Sequence, residues 1–152
     1  MVYSIDGVVA VREGGIALGI LKMFEEEKTV LEGAGAIGPA AILQRSVRGL
    51  EGRRIACILT GGNIDITALG RAIEKGLALD VRLTQVKTII DDKPGAFAEY
   101  FGVFRDNESN LVDAVTETIF HRLDAQTGRC KVIADIAGED HMIQVNEAVV
   151  AK

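Results

Sequence analysis

The first half of the chain alternates short apolar runs with segments of helical periodicity. Continuous apolar runs predict strands at residues 8–11, 29–31 and 54–59. Between the first two runs, apolar side chains recur at helical spacing from Ile16 to Phe24 and predict an amphipathic helix that ends in the charged run 25–28. This succession of strands and helices is typical of an α/β fold.

The most apolar run leads into a glycine turn. Residues 54–59 contain no polar side chain after Arg54, which predicts a strand buried on both faces. Gly61 and Gly62 end this strand, and Asn63 is predicted to cap a helix that runs to Gly76, its C-terminal glycine. A Gly-rich turn before a helix N-terminus is a common ligand site in α/β folds, but a plain tight turn explains the same residues.

A second glycine cluster matches the dinucleotide-binding pattern. Gly33, Gly35 and Gly38 fit G-x-G-x-x-G, and Pro39 is predicted to begin a helix through residue 47. The pattern requires an acidic residue at the end of the next strand, where Thr60 stands, whereas Glu51 precedes that strand. Close packing of a helix on a strand explains the glycines equally well, so NAD binding is the weaker interpretation.

The pattern changes after residue 79 to longer alternating strands, which predicts two domains, residues 1–79 and 80–152. The second domain is predicted as β-α-β-β-α with an aromatic helical stripe in its core. Its elements are predicted at residues 81–90, 96–104, 111–123, 129–137 and 138–150. Such a module normally has a fourth strand, and none is evident here. We therefore expect an unpaired sheet edge and pairing with another chain.

Two turns in this second domain contain glycine. The turn at residues 91–95 leads into the aromatic helix, with Pro94 suited to a first helical turn. Gly95 leaves the helix N–H groups open to an anion, so this turn is consistent with a carboxylate site or with a plain β-to-α connection. Residues 124–128 predict a hairpin turn with Gly128 at positive φ.

Composition narrows the function classes. The 152 residues are 48% apolar and 26% charged, which indicates a folded protein. The net charge of −5 without a basic stripe argues against a nucleic-acid partner. Cys57 and Cys130 lie in apolar runs and are predicted to be reduced core residues.

No metal site and no membrane segment are predicted. His121 and His141 have no companions at ligand spacing, so zinc is not expected. No apolar run reaches membrane-spanning length, and the N-terminus does not have the pattern of a signal peptide. We expect a cytoplasmic protein with no membrane partner.

Three segments in this order resemble one enzyme family. They read EGAGAIGPAAIL at residues 32–43, GRRIACILTGGNID at 52–65 and IDDKPGAFAEYF at 90–101. They are similar to the C-terminal part of threonine dehydratase, the pyridoxal-phosphate-dependent threonine ammonia-lyase, followed by its small-molecule-sensing ACT domain. The resemblance implies a partial α/β lobe of that enzyme at residues 1–79 and a ferredoxin-like ACT module at residues 80–152.

The resemblance also implies two binding sites. In the family, a serine hydroxyl at the glycine turn bonds the pyridine nitrogen of the cofactor, and Thr60 keeps a hydroxyl at that position. The implied cofactor-binding residues are Thr60, Gly61, Gly62, Asn63 and Glu32. The implied effector-binding residues, which in such enzymes commonly bind an amino acid, are Asp92, Lys93, Pro94, Gly95, Ala96, Asn110 and Leu111.

The family pattern is incomplete in this chain. The family holds pyridoxal phosphate as a Schiff base on a lysine in an S-F-K-x-R-G-like segment. A glycine-rich loop around the phosphate holds the other end of the cofactor. None of the lysines here has that context, and without the linkage there is no route to α-proton removal. We therefore predict no catalytic residue, no pyridoxal phosphate bound by this chain alone and no threonine deamination by it alone.

These observations support three hypotheses. The first is a regulatory segment of a threonine dehydratase that binds an amino-acid effector and self-associates as a homo-oligomer. The second is one piece of an active enzyme whose catalytic lobe is supplied by another chain. The third is a structural module for oligomerisation that binds no ligand.

Overall fold

A computed structural model describes residues 5–117 and 126–151, which form five helices and three strands. The chain divides into two compact units, Met1–Leu79 (unit 1) and Asp80–Lys152 (unit 2). Helices and an antiparallel sheet occur together, so the predicted α/β class is confirmed.

Unit 1 is built from helices α1 (Glu13–Glu27), α2 (Ile37–Leu43) and α3 (Ile66–Leu79). Helix α1 packs against both of the others, as its predicted amphipathic pattern requires. Its Ile20 joins Leu31 and Ala36 in a small core. Helix α2 is shorter than predicted because the chain leaves helical geometry at Arg45, which has a φ of 52°.

A close approach between α1 and α3 depends on Gly76. A Cβ atom at Gly76 would lie 2.8 Å from the Cβ of Leu21 and 3.0 Å from the carbonyl oxygen of Ala17. These distances are too short for an ordinary contact, so the helices pack at this spacing only because the side chain is absent. Gly76 lies within α3, and the prediction that it ends the helix is wrong.

Asp65 caps helix α3. The backbone N–H groups of Thr67 and Ala68 donate to Asp65 Oδ1 at 2.8 and 3.2 Å. The Thr67 hydroxyl also donates to this oxygen, and these bonds lower the pKa of the Asp65 carboxyl because they stabilise its charged form. The helix therefore begins later than predicted, and the prediction that Asn63 caps it is wrong.

The strands predicted at residues 8–11, 29–31 and 54–59 are not formed. In the described part of unit 1, irregular segments and turns connect three helices, and there is no strand. A strand exists only where a neighbouring segment completes its hydrogen-bond ladder. The run 54–59 has no ladder partner among the described residues, and its Ile58 is 84% exposed. The prediction of a strand buried on both faces is wrong for this reason.

Unit 2 has the predicted β-α-β-β-α order. Its elements are β1 (Leu83–Asp91), α4 (Ala96–Asp106), β2 (Leu111–Glu117), β3 (Thr127–Asp135) and α5 (Glu139–Val150). The sheet is antiparallel in the order β1-β3-β2, so β3 is central and pairs with both neighbours. The end of the predicted second strand, which includes His121, and the first two residues of the predicted hairpin turn lie outside the described residues.

The core of unit 2 lies between one face of the sheet and helices α4 and α5. Tyr100 and Phe104 of α4 and Val145 of α5 pack on alternate residues of β3. The predicted buried face, Cys130, Val132, Ala134 and Ile136, and the predicted core role of the aromatic stripe are confirmed. Gly128 lies within β3 opposite Ile90 and is not at positive φ, so that prediction is wrong.

His141 connects the two helices of unit 2. Its Nδ1 accepts the N–H of Ala137 at 3.0 Å, and its Nε2 lies 2.7 Å from the carbonyl oxygen of Asn107. Because Nδ1 is an acceptor, the proton of the neutral ring sits on Nε2 and is donated to Asn107. Gln144 adds a bond to Oδ1 of Asn107 at 2.9 Å, so these side chains hold the start of α5 against the end of α4.

The close helix contact in unit 1 yields the first prediction. Gly76→Ala should lower the free energy of unfolding by about 1 to 3 kcal/mol, because overpacking outweighs the better helix propensity of alanine. Gly70→Ala is the matched control, since a Cβ at Gly70 meets nothing within 4 Å. The control should stabilise the protein by about 0.5 to 1 kcal/mol. Urea unfolding of both variants measures the difference, and equal effects would contradict the predicted crowding.

Candidate functional site

The glycine turn of unit 1 lies against Glu32. The backbone N–H of Glu32 donates to the carbonyl oxygen of Gly61 at 3.0 Å. A Cβ atom at Gly61 would lie 2.3 Å from Glu32 Oε1, and Gly61 has a φ of 74°, a conformation that favours glycine. The structure thus brings together Glu32 and the turn that begins at Thr60, two parts of the predicted cofactor site.

The glycines of the dinucleotide-like pattern pack on the same turn. A Cβ atom at Gly35 would lie 1.7 Å from the carbonyl oxygen of Thr60, and one at Gly38 would lie 2.2 Å from Cys57 Sγ. These positions exclude any larger residue. Close packing therefore accounts for both glycines without a nucleotide.

The Thr60 turn and Glu32 present a hydroxyl and a carboxylate on two segments that are in contact. Thr60, Gly61, Gly62 and Asn63 are exposed, and Glu32 is half-buried. A hydroxyl and a carboxylate are groups that bond a ring nitrogen. The phosphate and aldehyde sides of pyridoxal phosphate have no counterpart among these five residues.

An apolar depression of about 360 Å³ lies beside the same segment in unit 1. Its apolar lining residues are Met23, Pro39, Ile42, Leu43, Cys57 and Leu59. Ile42, Leu43 and Leu59 are each more than a third exposed. Cys57 is exposed, so the prediction that it is a core residue is wrong, whereas Cys130 is buried as predicted.

The second candidate turn follows β1 in unit 2. The N–H of Asp92 donates to the carbonyl oxygen of Gln126 at 2.8 Å, and the N–H of Lys93 donates to that of Asp91 at 2.9 Å. Gly95, at a φ of 92°, caps helix α4. The Lys93 ammonium lies 3.3 Å from Asp91 Oδ2 in an exposed ion pair. The backbone of the turn is therefore held by bonds of its own.

The start of α4 retains unused donors. Ala96 donates its N–H to the carbonyl oxygen of Lys93 at 3.2 Å, and Glu99 donates to Gly95 at 3.0 Å. Between them, the N–H groups of Phe97 and Ala98 reach no backbone acceptor in the described ranges. A helix N-terminus with free N–H groups favours an anionic group.

A cavity of about 180 Å³ lies beside this turn. It is lined by Thr88, Ile89, Ile90, Asp91, Lys93, Ala96, Glu99, Tyr100 and Val149. The Tyr100 hydroxyl is buried and has no hydrogen-bond partner in the structure, and the residue is 5% exposed. Burial, with a smaller contribution from the Cys130 thiol, raises the pKa of Tyr100 to about 12.

Tyr100 lines this cavity, whereas the sequence pattern predicted it only as part of the aromatic core stripe. It lies four residues after Ala96 on α4, so helical spacing could have placed the two side chains on one side of the helix. Val149 gave no such signal, because only the packing of α5 brings it to the cavity.

The remaining predicted effector residues lie at the other end of the sheet. Leu111 begins β2 opposite Ala134, whereas Asp91 ends β1 opposite Thr127. The seven residue steps along β3 from Thr127 to Ala134 span about 23 Å at about 3.3 Å per step. Asn110, whose carbonyl oxygen accepts the N–H of Asp135 at 2.9 Å, belongs to that far end. One copy of unit 2 does not bring both groups onto one small ligand.

Residues 5–117 and 126–151 present neither a cluster of metal ligands nor a membrane-spanning helix. No group of three or more His, Cys, Asp or Glu side chains in these ranges is placed to hold a metal ion. Nor does any helix there have both the length and the apolarity needed to cross a membrane.

Several characterised proteins have similar sequences. L-threonine ammonia-lyase of Thermotoga maritima is 33% identical over 97% of this chain and 36% of its own length. L-threonine ammonia-lyase of Geobacter sulfurreducens is 39% identical over 70% of this chain and 26% of its own length. A biosynthetic L-threonine dehydratase of Staphylococcus epidermidis is 27% identical over 96% of this chain. The chain therefore spans about a quarter to a third of these relatives, and no protein-family profile matches it.

The raised pKa of Tyr100 predicts a stability loss in alkaline solution. A free tyrosine ionises near pH 10, whereas folded Tyr100 keeps its proton up to about pH 12. The contribution of the protonated Tyr100 side chain to the unfolding free energy is therefore present below about pH 10 and is lost as the pH rises toward about 12.

Tyr100→Phe should flatten this part of the pH profile of the unfolding free energy. At neutral pH the variant should be as stable as the parent or more stable, because it removes an unpaired buried hydroxyl. An unchanged alkaline slope in the variant would contradict the assignment.

Proposed function

Because this chain is a homologue of the threonine ammonia-lyases and corresponds to a partial segment of them, we propose that it is a regulatory segment of such an enzyme. It binds a small effector, an α-amino acid, in unit 2 and self-associates through its sheet. The observation that carries the proposal is the cavity beside the turn of residues 91–95. This cavity combines charges of both signs with an apolar wall, and it lies beside the start of α4, where N–H groups are open.

The charges around the cavity suit the two charged groups of an amino acid. The Lys93 ammonium offers donors to a carboxylate from the cavity wall, and the open N–H groups of Phe97 and Ala98 lie at the adjacent start of α4. The carboxylates of Asp91 and Glu99 offer acceptors to an ammonium group. The existing Lys93–Asp91 pair is exposed and is worth little, so a ligand can replace it at small cost.

The cavity also has room for a small side chain. Its volume of about 180 Å³ corresponds to about six waters at about 30 Å³ each. Ile90 and Val149 supply an apolar wall, and Tyr100 also lines the cavity, with its hydroxyl buried. A few polar groups around an apolar wall are typical of sites for small molecules.

The exposed sheet edges and the position of Asn110 support the proposal of self-association. Strands β1 and β2 each pair only with β3 among the described residues, so each presents an edge of unpaired N–H and C=O groups. A second copy placed along such an edge supplies its own Asn110 and Leu111. In this arrangement the effector contacts the turn of one copy and the start of β2 in the other, and a complete site contains two copies.

The proposal predicts stabilisation by a free amino acid. One member of a panel of the common amino acids should raise the unfolding temperature, and at a hundred times its Kd it should stabilise the protein by about 2.7 kcal/mol. Lys93→Gln should weaken the effect, whereas Lys75→Gln, an exposed change on α3, should leave it intact. Asn110→Ala should weaken binding only if sedimentation shows an oligomer. The absence of any shift across the panel would contradict effector binding.

A second candidate function is supported by unit 1. The support is the contact between Glu32 and the Thr60 turn, which groups residues predicted to bind the cofactor, together with the exposed apolar depression beside Leu59. In this alternative the chain is one piece of an active threonine ammonia-lyase, and another chain supplies the catalytic lobe. Bound pyridoxal phosphate would supply the electron sink for the reaction. The Thr60 hydroxyl would hold the ring nitrogen, and Glu32 would stand beside the turn.

This alternative predicts a partner and a spectral signature. Co-expression with a chain that carries the lysine segment should yield a stable complex with the visible absorbance of a lysine Schiff base. Thr60→Ser should keep the absorbance, because it keeps the hydroxyl, whereas Thr60→Val should shift or weaken it. Failure of the two chains to co-purify would exclude this function and leave effector binding by unit 2 unaffected.

A further inference from the structure

The sheet of unit 2 has one open face, which carries a concentration of positive charge. Helices α4 and α5 cover the face that contains Cys130 and Val132. The opposite face carries the carboxylates of Asp91, Asp113 and Asp135. Grouped together on it are Lys87 from β1 and Arg129 and Lys131 from β3, with Glu117 of β2 at their margin. We call these four residues, with Ile89 and Val115, the basic patch.

The strand register places like charges next to each other in this patch. Lys87 stands directly opposite Lys131, and Arg129 stands opposite both Ile89 and Glu117. Directly opposed like charges destabilise an antiparallel pair. In the part of the chain that the structure describes, none of the three cations forms a side-chain hydrogen bond or an ion pair. The described residues of unit 2 therefore provide no ion pair that relieves the repulsion between the two lysines.

The net charge of the basic patch is opposite in sign to the net charge of the whole chain. Its three cations and one carboxylate sum to +2, in a chain whose net charge is −5. A concave surface lined mainly by one sign of charge attracts ligands of the other sign. The acidic remainder of the chain disfavours a nucleic-acid partner, so the attraction favours a small anion.

The shape of the surface also suits a small ligand. The patch lines a depression of about 750 Å³, within the range of about 300 to 1,000 Å³ typical of small-molecule sites. Ile89 and Val115 are 56% and 44% exposed and provide apolar contacts beside the cations. A ligand with both a charged and an organic part fits this combination.

We propose that the basic patch binds a small organic anion that carries two or more phosphate groups. Such a ligand places a negative group between Lys87 and Lys131 and a second one on the Arg129 guanidinium, whose planar donors match phosphate oxygens. Its organic part lies on Ile89 and Val115. A second copy of the chain is a poorer occupant, because face-to-face stacking brings the same three cations of each copy together.

Calorimetric titration at low ionic strength tests the proposal, with pyrophosphate and ADP as probes. Both should bind saturably, and ADP should bind more tightly because it also contacts the apolar residues. Lys87→Gln with Lys131→Gln should weaken the binding of both probes by at least about tenfold, because the two changes remove charged donors that bond the phosphate oxygens. Arg71→Gln with Lys75→Gln removes the same charge from exposed positions of α3 and should change neither affinity.

The stability of the free protein provides a second readout. Lys131→Gln should raise the unfolding temperature at low salt, because it removes the repulsion from Lys87, and added salt should abolish the gain. The proposal is overturned if neither probe binds, or if both double variants lose affinity equally. Sedimentation of the wild type that shows an oligomer dissociated by the Lys87/Lys131 changes would also overturn it, because the patch would then be an interface between copies.

Discussion

The central strand β3 is the constraint on which unit 2 depends. It pairs along its length with both β1 and β2, and its side chains alternate between two environments. Cys130, Val132 and Ala134 are completely buried beneath the helices, whereas Arg129 on the other face is exposed. A slip of one residue would place the charged side chains in the core, so burial of one face determines the register of all three strands.

That register also determines which residues lie on the open face, at the edges and at the two ends of the sheet. It sets Lys87 against Lys131 on the open face and leaves β1 and β2 as edges. It also places the turn of residues 91–95 and the start of β2 at opposite ends of the sheet. The need for a second copy in the proposed effector site is therefore a result of strand order, and no feature of the turn itself reveals it.

Unit 1 is organised by close contacts at small residues. Gly76 lets α3 approach α1, and Gly35 and Gly38 let their loop approach residues 57–60. These contacts position Glu32 beside Gly61 without any sheet. The apolar residues that would lie inside a sheet are instead exposed around the same turn, as Ile58 shows. The unit thus presents an apolar surface on which another protein segment can pack, beside the residues predicted to bind a cofactor.

Local patterns in the sequence determined the parts of the fold that depend on local interactions. Helical spacing identified α1, α4 and α5, and alternation identified the buried face of β3, because these elements bury their own apolar stripe. Strand formation at residues 54–59 could not be decided in this way, because a strand needs a hydrogen-bond partner from elsewhere in the chain. The candidate turns at residues 60–63 and 91–95 were visible as glycine patterns. The position of Val149 beside the second turn, the opposed lysines and the distance from that turn to Asn110 were decided only by tertiary packing and strand register, which bring distant residues together.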